Sequence, residues 1–146
     1  MKIAVLNGPN LNLLGSREPH IYGTTTLAQI ETRLREVGRE LSVELEFLQS
    51  NHEGVLIDAI HALRGRVAGA IINAGALSHT SLALRDAFSA TEVPYVEVHV
   101  SNIFAREPER RQSVLAGGAV GLVCGLGPDG YEFGLRGLVA RLTRRG

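Results

Sequence analysis

Residues 3–23 read "IAVLNGPNLNLLGSREPHIYG". The apolar run 3–6 has strand character and stops at Asn7. The seventeen residues 7–23 then hold three Asn, two Pro and three Gly, with single Arg, His and Tyr residues. A long irregular stretch in a small domain is either functional or disordered. Leu11, Leu13, Leu14, Ile21 and Tyr22 are too apolar for a solvated linker. The pattern is therefore a first strand that delivers the chain into a functional loop.

Outward from this stretch, apolar runs of strand length recur at 43–48, 67–72, 95–100 and 119–124. Helix-period segments lie between most of them. Thr26 and Gln29 have capping-box spacing at the head of 27–41, where Leu27, Ile30, Leu34, Val37 and Leu41 share one face. Ser50 and Glu53 repeat that spacing before 55–63. The segment 79–90 carries Leu82, Leu84, Ala87 and Phe88, with Ser78 or Thr80 as its cap. The segment 131–142 is amphipathic and runs into Arg141, Arg144 and Arg145, cations suited to a helix C-terminus. Strands alternating with helices predict an α/β fold, a doubly wound, five-stranded parallel sheet in a single domain over 1–146; the flavodoxin-like order 2-1-3-4-5 is taken by analogy with sheets of this size. Such sheets bind ligands beyond the C-terminal strand ends, at the switch point beside the first strand.

The 146 residues are 45% hydrophobic and 21% charged, with formal net charge zero. No basic field favours a nucleic acid or a membrane surface as partner. The one cysteine, Cys124, lies in an apolar run and is expected in the core, in keeping with a reducing cytoplasm. No signal-peptide pattern and no membrane-length apolar stretch is expected.

The strand ends carry the chemistry. They hold Asn7 and Asn10, then Gln49–Glu53, then Asn73, Ser78 and His79, then Glu97, His99, Ser101, Asn102, Arg106 and Arg110, and last "GLGPDGY" at 125–131. Amides, histidines, hydroxyls and arginines suit a small, polyhydroxylated anionic ligand. A Walker A loop is absent, and "GLGPDG" reads as a turn because it lacks a third glycine in register. Asn7 and Asn10 are amides where a two-component receiver needs carboxylates. The five histidines show no H-x-x-x-H pair and Cys124 has no partner cysteine, so no metal and no cofactor is expected. The only lysine is Lys2, at the wrong end of the sheet for a Schiff base.

These motifs, "NGPNLNLLGSREPHIYG", "QSNHEG", "INAGALSHTS", "EVHVSN" and "GLGPDGY", closely resemble the type II 3-dehydroquinate dehydratases, in order and over nearly the whole chain. The resemblance implies a metal-free hydro-lyase that converts 3-dehydroquinate to 3-dehydroshikimate by anti elimination of water through an enolate, without a Schiff base. The same reaction serves aromatic biosynthesis and quinate breakdown, and the resemblance does not separate them. By it, Tyr22 would remove the C2 proton and Arg17 would keep Tyr22 ionised. Asn10 would help hold a water at the enolate. His99 would protonate the departing C1 hydroxyl, with Glu97 orienting its ring. Asn73, His79, Arg110 and the main-chain N–H groups of Val100 and Ser101 would hold substrate. Asp86 would reach a neighbouring subunit's site in a homo-oligomer, a dodecamer built as a tetramer of trimers. The stretch "REPERRQS" departs from the family: Glu109 replaces a Phe, and Arg111 and Gln112 replace two His, while Arg106, Arg110 and Ser113 match.

From the residues alone, each assignment has a plainer counterpart. Tyr22 is a base or a plug for a hydrophobic gap, His99 an acid or a satisfied strand-end residue, Glu97 its partner or a salt-bridge residue, and Asp86 a ligand group or a surface charge. A tyrosine base is attainable. Half-ionising a phenol of pKa about 10 near neutrality takes roughly 4 kcal/mol. One guanidinium at about 4 Å supplies on the order of 4 kcal/mol at an effective dielectric of about 20. The competing class is a flavodoxin-like module that binds an anionic metabolite or nucleotide without chemistry. Gly15 and Gly23 bracket residues 15–23 as a lid carrying Arg17 and Tyr22, and Pro19 denies it a regular interior.

Overall fold

The computed structural model describes residues 1–145. Its five strands run parallel, as the alternating pattern predicts, in the order β2-β1-β3-β4-β5 expected by analogy. They are β1 (Lys2–Asn7), β2 (Glu44–Gln49), β3 (Gly69–Asn73), β4 (Tyr95–His99) and β5 (Gly121–Cys124). The register sets Asn7 opposite Gln49 and Asn73, and His99 opposite Cys124. Every strand therefore ends at one edge of the sheet.

Alternation along each strand divides the core in two. Ile3, Val5, Ile71, Val96 and Val98 pack against α2 (Leu27–Leu41) and α5 (Asp129–Arg145). Ala4, Leu6, Ala70 and Ile72 pack against α3 (Glu53–Leu63) and α4 (Leu82–Thr91). Ile3, Val5, Ile71 and Ile72 are completely buried, as expected for a sheet covered on both faces.

Helix α2 starts where its sequence says. Thr26 Oγ1 accepts the Gln29 N–H at 3.2 Å, and Gln29 Oε1 accepts the Thr26 N–H at 2.9 Å. The similar spacing at Ser50 builds no such box. His52 is the N-cap of α3; Ser50 Oγ accepts the His52 N–H at 3.0 Å, and the Glu53 carboxylate accepts from Ser81 Oγ at 2.5 Å. Glu53 is thus drawn toward α4, away from its own helix start. Ser81, not Ser78 or Thr80, caps α4, accepting the Leu84 N–H at 3.0 Å. A 3-10 turn at Gly75–His79 takes up the preceding residues.

Two further expectations are corrected. Cys124 is half-buried, not a core residue, because β5 is an edge strand with every residue partly exposed. The stretch after β1 is not wholly irregular. It contains a 3-10 turn, Leu11–Leu13, and one helical turn, α1 (Pro19–Tyr22). Pro19 sits at the start of α1, where its missing N–H costs nothing. Leu11 and Leu14 are buried but Leu13 is 48% exposed.

Candidate active site

A pocket of about 600 Å³, open solvent at its mouth included, lies over the C-terminal ends of β1, β3 and β4. It is the position that the switch-point rule selects. Close backbone approach shapes its floor: the Gly8 N–H bonds the Asn73 carbonyl at 2.8 Å, and a side chain at Gly8 would collide with the main chain of Ala74.

One wall is built by β4. Glu97 and His99, two residues apart, project to the same face. His99 Nε2 is hydrogen-bonded to the Glu97 carboxylate. Glu97 is completely buried and His99 is 5% exposed. A buried carboxylate needs every available donor, and Ser113 Oγ approaches both Glu97 oxygens, at 2.8 and 2.7 Å. His79 lies across from His99, with ring centroids 6.2 Å apart and planes 18° from parallel. His79 Nδ1 meets the Gln112 carbonyl at 2.7 Å. A carbonyl only accepts, so Nδ1 carries the hydrogen. This contact uses the main chain, so it makes no demand on the Gln112 side chain. Arg111 also finds a place: its Nε donates to the Arg106 carbonyl at 2.5 Å.

The opposite wall is the loop. Tyr22 ends α1, and its hydroxyl accepts from Arg106 Nη1 at 2.7 Å. The Arg17 and Arg106 guanidinium carbons lie 5.0 and 5.3 Å from the ring centroid. Arg17 is therefore beside the ring as expected, but the direct bond to the phenol oxygen comes from Arg106. Arg106 Nη1 also reaches Ser101 Oγ at 3.4 Å.

The chain has three tyrosines, and their surroundings separate them. Burial, followed by the charge of Glu97, pushes the Tyr95 phenol up to about 12; its hydroxyl donates to the Leu115 carbonyl. Burial also pushes Tyr131 far above the usual phenol range. Its hydroxyl donates to Asn7 Oδ1 at 2.6 Å and accepts from Asn73 Nδ2 at 2.9 Å. Both are neutral structural donors. Tyr22 alone combines pocket exposure with two guanidinium groups.

The family model described as "Dehydroquinase class II" matches residues 1–139. The chain belongs to the class II dehydroquinase family. It is 64% identical over 142 residues to a 3-dehydroquinate dehydratase of Gemmatimonas aurantiaca, covering 97% of this chain and 93% of that protein. Its structure resembles the type II dehydroquinase of Propionibacterium acnes, with TM-score 0.90, 44% identity and coverage of 95% of this chain and 96% of that one. The corresponding figures for the type II dehydroquinase of Butyrivibrio crossotus are TM-score 0.92, 40%, 94% and 97%. The doubly wound architecture read from the strand pattern is that of this dehydroquinase family.

Of the residues singled out in this dehydroquinase, Asn10, Arg17, Tyr22, Asn73, His79, His99, Val100, Ser101 and Arg110 all line the pocket. Glu97 stands directly behind His99. Asp86 does not join them: it is exposed on α4, outside the pocket wall. Asn10 adopts a left-handed conformation, φ 70°, which Asn tolerates better than most residues. Its N–H is held by Asn51 Oδ1 at 2.9 Å. Asn73 is fixed at both ends, with Oδ1 accepting the Gly75 N–H at 3.1 Å and Nδ2 donating to Tyr131. Sequence reasoning gave no role to Arg106, Ser113, Tyr131 or Asn51. Arg106 shares a short arm with Arg110, and that spacing was visible. Its target, 84 residues away in the chain, was not.

Among the described residues, no group of three or more His, Cys, Asp or Glu side chains gathers to hold a metal. No helix there is long and apolar enough to cross a membrane.

Proposed function

We propose that this dehydroquinase is a 3-dehydroquinate dehydratase, a hydro-lyase that eliminates water from 3-dehydroquinate in the anti sense to give 3-dehydroshikimate. The observation that carries the reading is the opposition of two proton-transfer groups across one pocket. Tyr22 with its two arginines is on the loop side, and His99 with its buried carboxylate is on the sheet side.

Tyr22 acts as the base at C2. The Arg106 hydrogen bond and the Arg17 charge stabilise the negative phenol oxygen this task needs. Loss of the C2 proton places charge on the C3 carbonyl oxygen as an enolate. Asn10 helps hold the water that bonds this oxygen. His99 then gives a proton to the departing C1 hydroxyl. With Nε2 bound to Glu97, that proton leaves from Nδ1, and the acid form is an imidazolium held by the carboxylate charge. The products are water and a C1=C2 double bond conjugated with the C3 ketone. Arg110 and the N–H groups of Val100 and Ser101 hold the carboxylate and hydroxyls, with Asn73 and His79. No step uses a metal or a Schiff base; Lys2 lies at the start of β1, paired with Glu46 at 3.4 Å.

Residues 15–23 serve as a lid on this single domain. Gly15 and Gly23 have φ of 97° and 78°, and Glu18, φ 43°, is left-handed immediately before Pro19. Such a conformation is strained for a residue preceding proline. Asp86 serves the site of a neighbouring copy in a homo-oligomer, proposed as a dodecamer of four trimers, acting in the cytosol where its thiol stays reduced.

Incubation with 3-dehydroquinate tests the reading. Ultraviolet absorbance should rise as the conjugated enone forms. Tight binding without that rise would leave a module that binds an anionic metabolite, and the catalytic reading would fall.

A further inference from the structure

We infer that Ser113 is a positioning residue for the acid side of the reaction, acting through Glu97 on His99. The inference rests on the function proposed above, and it begins with a hydrogen count. Ser113 Oγ accepts the Leu115 and Ala116 N–H groups, both at 3.2 Å. A hydroxyl has two lone pairs and one hydrogen. Both lone pairs are occupied by main-chain donors that cannot be reversed. The one hydrogen is therefore directed at Glu97, whose two oxygens lie 2.8 and 2.7 Å away.

The orientation is consequential because Glu97 is completely buried and His99 Nε2 is its other charged-group contact. A carboxylate held by the imidazole alone can rotate about its last bond and carry the imidazole with it. Ser113 braces it, lying against both oxygens, the one bound to His99 included. The direction in which His99 Nδ1 addresses the pocket is thereby set by a residue outside the pocket wall.

The neighbours of Ser113 extend the same device. Gln112 contributes its carbonyl to His79 Nδ1 at 2.7 Å. The Val114 N–H bonds the Ser78 carbonyl at 2.8 Å. Three consecutive residues thus fasten the loop after β3 and the end of β4 to one strip of chain. That strip follows the arm bearing Arg106 and Arg110, so the geometry of both histidines is coupled to the placement of both arginines. The strip works through two main-chain groups and one side chain, so Ser113 is its one position whose side-chain chemistry matters.

The test compares Ser113→Ala and Ser113→Thr with the unaltered protein in steady-state turnover of 3-dehydroquinate, alongside proton NMR of the imidazole N–H of His99, assigned by its loss in His99→Ala. Leaving a buried acceptor short of a donor predicts a kcat about 10- to 100-fold lower in Ser113→Ala, with KM changed less than twofold. Ser113→Thr, which keeps the hydroxyl, should recover most of the loss. The His99 N–H signal should persist in Ser113→Thr and broaden or vanish in Ser113→Ala. If Ser113→Ala does not fold, Ser113→Cys, similar in volume and a poor donor, takes its place. A kcat in the donor-deficient variant within twofold of the unaltered protein, a KM that moves as far as kcat, or no recovery in Ser113→Thr overturns the inference. An unaltered protein without turnover breaks the functional reading instead, and the NMR comparison alone then decides whether Ser113 positions His99.

Discussion

The two walls of the pocket are built on different principles. The β4 wall is buried and saturated: Glu97 and His99 are 0% and 5% exposed, and Ser113 in turn secures Glu97. The loop wall is sparse. Tyr22 is only partly buried, and among the described residues Arg17 pairs with the exposed Glu18 alone, at 3.8 Å. Its short polar tie is Arg106 to the phenol oxygen. A group that must keep one orientation is built into the sheet. A group that must arrive over a ligand is carried on a loop that can open.

The largest expected effects come from removing the proton carriers on each wall. His99→Ala and Tyr22→Phe should each lower kcat by about 10²–10⁴-fold or more, with the fold intact by circular dichroism. Near-native turnover in either variant would show that its wall holds no proton carrier, and the comparison would collapse to a one-sided site.

A smaller effect distinguishes the two arginines. The hydrogen bond belongs to Arg106, whereas Arg17 faces the ring. Arg106→Ala should therefore cost more in kcat than Arg17→Ala, with a charge-assisted bond of about 1.5–3 kcal/mol corresponding to roughly 10- to 150-fold. The opposite ranking, measured with both variants folded, would return the leading role to Arg17 and imply that the loop rearranges around substrate.

The sheet wall was the more legible of the two in the sequence. Glu97 and His99 lie two residues apart on a strand, and alternation alone puts them on one face. Parallel order alone puts Asn7, Asn73 and His99 at one edge. The capping box of α2 was readable because both of its partners are local. What remained hidden was long-range. Ser50 and Glu53 have capping-box spacing, but Ser81 engages Glu53 from another helix. Ser113 carries no pattern that points to a residue sixteen positions earlier. Cys124 sits in an apolar run, yet its strand lies at the sheet edge, and edge position is a property of strand order, not of the run. Arg17 was assigned to Tyr22 through the family resemblance, and no local pattern pointed to Arg106, whose arm lies 84 residues further along the chain.

On the sheet side, Tyr131→Phe tests rigidity at lower cost. The change removes the bonds to Asn7 and Asn73 and frees the Asn73 amide to turn. We expect a stability loss of about 1–3 kcal/mol by denaturant unfolding and a severalfold rise in KM with little change in kcat. An unchanged KM would mean that Asn73 keeps its orientation through the Gly75 N–H alone.

The smallest effect is a difference in cutting rate, and it bears directly on whether the loop wall moves. Arg17 is a trypsin site inside residues 15–23. The flanking Gly15 and Gly23 already have positive φ, where a Cβ is disfavoured and backbone change is easiest for glycine. A side chain added at Gly23 would meet nothing within 4 Å, so that hinge is open on its outer side. Cleavage needs the segment to leave the pocket and extend into the protease. Opening breaks the Tyr22–Arg106 bond and the contacts with the Arg17 and Arg106 guanidinium groups, while α2 and the sheet stay in place. A bound ligand touching Tyr22 and Arg17 adds contacts that opening must also break. Trypsin should therefore cut after Arg17 early in the free protein and severalfold more slowly with a tight substrate analogue present. Cutting elsewhere, at Arg66 or Arg141 for instance, should be unaffected. Equal rates after Arg17 in both states would show a fixed loop, and the contrast between the walls would then be one of exposure without motion.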